Sequence, residues 1–280
     1  MSGKRSNPTS MPHANWSPRL LRYLRGLLVT SAIMPWLPLW AQEVSICADP
    51  DPPPWTYWVR DSQDAKTNTF TGSSVDTFTI AFARLGTKIR FIGDLPWARC
   101  LQMVQEGKID FAMDAYYSAE RAKVFQYSRH YNTLTPQVFY RAQKPVRVRV
   151  VADLKNYKGC GMLGASYEHY KLAATDLDLG VNTYEGMMAK LKAGRCDYFV
   201  EELEVIAGYK KLGRDLLGDS DLLHNAVSDA SAPAYHLIAA KGSAAAQMLP
   251  SLNSALEAMI QSKELARIWK KYMPDGPFSP

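Results

Sequence analysis

From residue 43 onward the chain alternates short apolar runs with longer amphipathic stretches. Residues 43–48 (EVSICA) read as a first strand, and residues 88–92 (KIRFI) as a second. Between them, residues 72–86 place Val75, Phe78, Ala81, Phe82 and Leu85 at helical spacing and end on a glycine. The polar stretch 61–68 predicts a hairpin tip, and residues 96–106 a further helix. Later apolar runs at 137–141, 159–163 and 234–240 read as strands, and 204–212 as a helix. Residues 248–273 carry Leu249, Leu252, Leu256, Leu265 and Trp269 on one side of an amphipathic helical pattern.

Two stretches repeat one design. Residues 101–114 (LQMVQEGKIDFAMD) and 188–202 (MAKLKAGRCDYFVEE) each run helix end, glycine, basic residue, then an apolar strand closing on carboxylates. Helix–glycine–strand is the second half of a βαβ unit, so the repetition predicts an α/β protein with two lobes of similar plan. Ligands of open parallel sheets sit beyond the carboxyl ends of the strands, which is where Asp114 and Glu201–Glu202 fall. The expectation is one cleft facing both lobes.

Three further segments carry candidate chemistry. Residues 49–55 (DPDPPPW) suit neither helix nor inner strand, because proline fixes φ and lacks a donor. They form a rigid loop presenting Trp55, either as a ligand wall or as a plug of the core. Ser118 suits an N-cap, and the free N–H groups of a helix behind it would make an anion site, with Arg121 as bidentate partner of a carboxylate. The alternative there is a capped surface helix with a local salt bridge. Gly164-Ala-Ser166 repeats the pattern of strand, glycine turn and helix start.

The +6 net charge changes little once it is located. Residues 1–41 hold Lys4, Arg5, Arg19, Arg22 and Arg25 and no acid, leaving 28 basic against 27 acidic side chains in the rest. A near-neutral body gives no polyanion footprint, so no nucleic-acid partner is expected. The same 41 residues read as a signal peptide: a basic region, an apolar stretch broken by Pro35 and Pro38, and a cleavage site at Ala41. This predicts a soluble mature protein in the periplasm. Cys47, Cys100, Cys160 and Cys196 are not spaced as metal ligands, and the five histidines are scattered, so neither a metal nor another cofactor is expected.

Taken in order, Asp49-Pro…Pro54-Trp55, Gly107-Lys-Ile-Asp110, Ser118-x-x-Arg121, Tyr127-Ser128, Gly164-x-Ser166-Tyr167 and Gly194-Arg-x-Asp197 resemble the periplasmic solute-binding proteins of family 3. That family serves ABC importers of polar amino acids. The resemblance implies a type II two-lobed fold, each lobe a doubly wound sheet flanked by helices, with lobe one at 42–132 plus 238–280 and lobe two at 133–237. It implies a monomer that hands a small ligand to an inner-membrane permease and performs no chemistry. Carried over residue by residue, Arg121 clamps a ligand carboxylate with Ser118 and Ser166, Glu202 receives the ammonium, and Trp97 lines the pocket. The chain departs from the family where Pro52 replaces a stacking aromatic, leaving Trp55, Tyr57 or Trp97 to supply that wall, and where Asp114 replaces a small hydroxyl residue. Asp114 is thereby a second candidate for a ligand amine.

Within this plan, Cys47 pairs with Cys100 and Cys160 with Cys196, each bridge inside one lobe; four buried thiols are the alternative. Two other functions remain compatible with the same fold. One is an exported dehydratase-like enzyme with Glu201 or Glu202 as general acid. The other is a sensor that presents ligand to a membrane receptor.

Overall fold

The computed structural model describes residues 43–49, 52–274, 276 and 278–280. The predicted signal peptide lies outside the described residues.

In chain order the first elements are β1 (Glu43–Cys47), β2 (Tyr57–Arg60), β3 (Lys66–Thr71), α1 (Ser73–Arg84), β4 (Lys88–Ile92), α2 (Trp97–Gln105), β5 (Phe111–Tyr116), β6 (Phe125–Tyr127) and β7 (Asn132–Thr133). The chain continues with β8 (Pro136–Arg141), β9 (Gly159–Met162), β10 (Leu177–Val181), α3 (Tyr184–Lys192), β11 (Tyr198–Glu202), α4 (Leu203–Gly208) and β12 (Leu222–Ala226). It closes with β13 (Ala234–Ala240), α5 (Ala244–Gln261) and α6 (Glu264–Tyr272).

These strands build two main sheets. The first runs β4-β1-β5-β13-β6, with β7 paired to β13, and the second runs β10-β9-β11-β8-β12. Strands β4, β1 and β5 are parallel, as are β10, β9 and β11, while β13 and β8 run against their neighbours. The chain passes from the first sheet to the second between β7 and β8 and returns between β12 and β13. Two sheets crossed twice by one chain give the two-lobed α/β architecture.

The repeated stretches occupy equivalent places in the two sheets. Gly107 and Gly194 both adopt φ +69, the left-handed conformation in which only glycine avoids a Cβ penalty, and each ends a helix that leads into a central strand. The aspartate that follows has the same work in both. Asp110 accepts the backbone N–H of Ser45 at 2.7 Å, and Asp197 accepts that of Lys158 at 2.9 Å, at the start of the neighbouring strand. The Gly-basic-x-Asp pattern is thus a strand-entry device.

α1 buries Val75, Phe78, Ala81 and Phe82 against the first sheet, as its spacing requires. Trp55 is only 1% exposed and packs edge-on to Tyr235 and at a tilt to Trp269. It is a plug of the core. Burial of an aromatic this large contributes about 2–3 kcal/mol. The amphipathic stretch 248–273 divides into α5 and α6 at Lys263, whose φ of +57 breaks the helix. The bridges Cys47–Cys100 and Cys160–Cys196 form as expected, each tying elements of one sheet region.

Two predicted helices are absent in that form. After Ser118 the chain makes a single 3-10 turn, Arg121–Lys123, before β6, and after Gly164 another, Glu168–Tyr170. In both places one short turn precedes a tertiary contact that takes over the backbone groups.

Candidate functional site

The cleft forms where the strand ends of both sheets meet, and encloses about 610 Å³ of space partly open to solvent. From the first sheet, β5 supplies Met113, Asp114 and Tyr116, β13 supplies Tyr235, and α2 opens with Trp97. From the second, β11 supplies Glu201 and Glu202, α3 opens with Tyr184, and the turn after β9 brings Ser166, Tyr167, His169 and Tyr170. Arg121 stands between the two sets. The structure therefore brings together Trp97, Asp114, Arg121, Ser166 and Glu202. Of the predicted set, Trp55 lies in the core and Ser118 is not among the residues that line this cleft.

Arg121 is a cross-brace. Its Nη1 donates to the Tyr116 carbonyl at 3.2 Å and its Nη2 to the Gly164 carbonyl of the opposite side. Its guanidinium lies 5.7 Å from the Trp97 ring centre, within cation–π range. Burial lowers its pKa, though an arginine stays charged throughout.

The anion position predicted at Ser118 already holds a carboxylate of the protein. Ser118 Oγ accepts the Arg121 N–H at 3.2 Å, while the Ala119 N–H donates to Glu168 Oε2 at 3.0 Å. Burial pushes the Glu168 carboxyl up, but donors at Ala119, Ser118 and Glu120 outweigh it and hold the group below its usual range. The sequence reading of free N–H groups is corrected here: the contact partner lies 49 positions away, beyond local spacing.

Glu202, 1% exposed, is surrounded by donors. Tyr116 donates its hydroxyl to Oε2, His169 Nε2 lies 2.9 Å from Oε1, and Tyr170 donates to Oε1 at 3.4 Å. Burial lowers the His169 pKa to about 4, so the ring is neutral near pH 7 and donates Nε2–H. Burial also raises Glu202, and burial together with the neighbouring Glu202 charge raises Glu201 well above its ordinary value. Neutral donors thus already satisfy the carboxylate expected to receive a ligand ammonium.

Asp114 is built differently. Its φ is +61, and its N–H donates to the Tyr131 hydroxyl at 2.8 Å. Oδ1 accepts from Ser74 at 2.5 Å and from Tyr131 at 2.7 Å. Oδ2 is buried and has no partner. Burial lifts the carboxyl to about 6 against the lowering effect of the Ser74 and Tyr131 hydrogen bonds.

Tyr116, His169, Tyr170, Tyr184 and Tyr235 escaped the sequence reading. Tyr116 stacks on Tyr235 at 5.0 Å and meets His169 edge-on at 5.3 Å, forming an aromatic wall. A signal for Tyr116 existed, since strand period two puts it on the same face as Asp114. Among the described residues no group of three or more His, Cys, Asp or Glu is arranged to hold a metal ion.

Comparison with solved structures returns the same architecture. The substrate-binding protein of an amino acid ABC transporter superposes with TM-score 0.68 at 20% identity, covering 83% of this chain and all of that one. The arginine-, lysine-, histidine-binding protein ArtJ from Geobacillus stearothermophilus gives 0.69 at 18%, covering 84% and 97%. A histidine kinase sensor domain with similarity to periplasmic binding proteins gives 0.67 at 19%, covering 83% and 96%. These likenesses establish a type II periplasmic-binding-protein fold. No curated protein matches the chain. The model of the bacterial extracellular solute-binding proteins, family 3, matches residues 44–275, and the chain belongs to that family.

Proposed function

We propose that the protein is exported to the periplasm, captures a small amino-acid ligand in the cleft between its lobes, and delivers it to the permease of an ABC importer as a monomer. The observation that carries this reading is the charge layout of the cleft. A half-buried Arg121 guanidinium, the half-buried Asp114 and the buried Glu201 and Glu202 converge on one solvent-connected space. Fixed charges of both signs in a desolvated cleft suit a zwitterion and need no reaction. The lobes in this reading are 42–132 with 238–280, and 133–237. Among the described residues no helix is long and apolar enough to cross a membrane.

A thermal-shift screen across amino acids, polyamines and small carboxylates tests the reading. A ligand at about 100 times its Kd adds roughly 2.7 kcal/mol to stability. A screen in which nothing in these classes raises the melting temperature overturns it. The likeness to the kinase sensor domain supports a second reading, in which the same cleft signals to a membrane receptor. Capture of the protein by a permease or by a receptor kinase decides between the two.

A further inference from the structure

We infer that the cleft selects a ligand with net positive charge, whose ammonium or guanidinium N–H donates to Oδ2 of Asp114. This deepens the amino-acid reading and rests on it only in placing the ligand in this cleft.

The hydrogen-bond inventory singles out Asp114. Every oxygen of Glu202 already has a donor, whereas Asp114, which lines the cleft, has an Oδ2 that is buried and has none. A buried carboxylate oxygen without a donor costs free energy that a donor on the ligand recovers. The group is also held in place. Ser74 and Tyr131 fix Oδ1, and the Asp114 N–H is tied back to Tyr131 in a left-handed conformation that asparagine and aspartate tolerate. A site preorganised around one bare acceptor disfavours groups of the same shape that bring no donor.

Charge count points the same way. Asp49, Asp114, Glu201 and Glu202 line the cleft against Arg121 as the single permanent cation among its lining residues. Even with Glu201 counted as neutral, three carboxylates stand against one guanidinium, and a zwitterion leaves that excess in place. A ligand with one extra positive charge reduces it. Arg121 remains available to a ligand carboxylate through N–H groups beyond those donated to Tyr116 and Gly164.

The test is calorimetry with L-arginine, L-lysine and 1,4-diaminobutane set against the uncharged probes L-citrulline and L-glutamine. L-Arginine and L-citrulline share size and shape and differ in charge, so the parent protein alone gives a reading. At least one cationic probe is expected to bind roughly thirty-fold tighter or more than the uncharged ones. In Asp114→Asn, which keeps an oxygen for Ser74 and Tyr131, that preference is expected to collapse to within about threefold. Uncharged probes binding as well as the cations would overturn the inference while leaving the solute-binding reading standing. So would a preference that survives Asp114→Asn. Preference for 1,4-diaminobutane over every amino acid sustains the cation inference and removes the amino-acid reading. Failure of all five probes to bind at millimolar concentration overturns the inference.

Discussion

Ionisation of Asp114 should destabilise the empty protein, and Asp114→Asn exposes the effect. The carboxyl rises from an ordinary value of 3.8 to about 6, mainly by burial. Because the folded value lies above the unfolded one, the stability linked to this proton is fully present below pH 3.8 and is lost as pH rises through about 6. The difference corresponds to about 3 kcal/mol between the two limits. Asparagine does not titrate, so the variant escapes the loss. Its new amide N–H₂ lacks an acceptor where Oδ2 lacked a donor, at a cost of ~1–3 kcal/mol, but that offset does not change with pH. His169 works in the opposite sense: its stability contribution is present above 6.5 and lost as pH falls toward about 4. It is common to both proteins and cancels in the difference. Urea denaturation of dialysed, ligand-free parent and variant, from about pH 4 to about pH 7.5, should show the variant gaining roughly 2–3 kcal/mol relative to the parent as pH rises. A difference that stays flat with pH would refute the buried, donor-poor environment assigned to Asp114.

Other consequences follow from packing and covalent links. Cys160→Ser opens a bridge spanning 36 residues and should cost roughly 2–4 kcal/mol by denaturant melt, while thiol titration of the denatured, unreduced parent should find no free cysteine. Gly208→Ala would put a Cβ 1.8 Å from the Pro53 carbonyl oxygen, so α4 and the proline loop must part; destabilisation of ~1–3 kcal/mol or more is expected in the same melt. Trp97→Phe should abolish most of the ligand-induced fluorescence change, since Trp97 lines the cleft beside Arg121. Intact-mass analysis of a periplasmic extract should find a chain beginning near Gln42.

Much of the lobes' central framework was readable because buried parallel strands and capped helices write strong local signals. The glycines at 107 and 194 and the apolar face of α1 followed from such signals, whereas the cysteine pairs followed from the two-lobe plan that the family resemblance implies. The strands β10 and β12 were missed, and both lie at the edges of the second sheet, where LDLGV and LLHNA bury little. The site was legible in its charged residues and obscure in their roles. Glu202 and Asp114 both read as carboxylates at strand ends, yet Tyr116, His169 and Tyr170 saturate one while Ser74 and Tyr131 leave half of the other bare. Those partners come from distant segments, and no local pattern encodes them. Glu168 in the predicted anion position is the same lesson in reverse.

The central claim is that this cleft binds a small ligand and leaves it unchanged. Native mass spectrometry of the protein with the best ligand of the thermal-shift screen, followed by denaturation and analysis of the released molecule, tests it most directly. The account predicts one ligand per chain, released chemically intact after prolonged incubation. A released molecule that has lost water or carbon dioxide would make the protein an enzyme, with Glu201 or Glu202 as candidate general acid, and would contradict capture without chemistry.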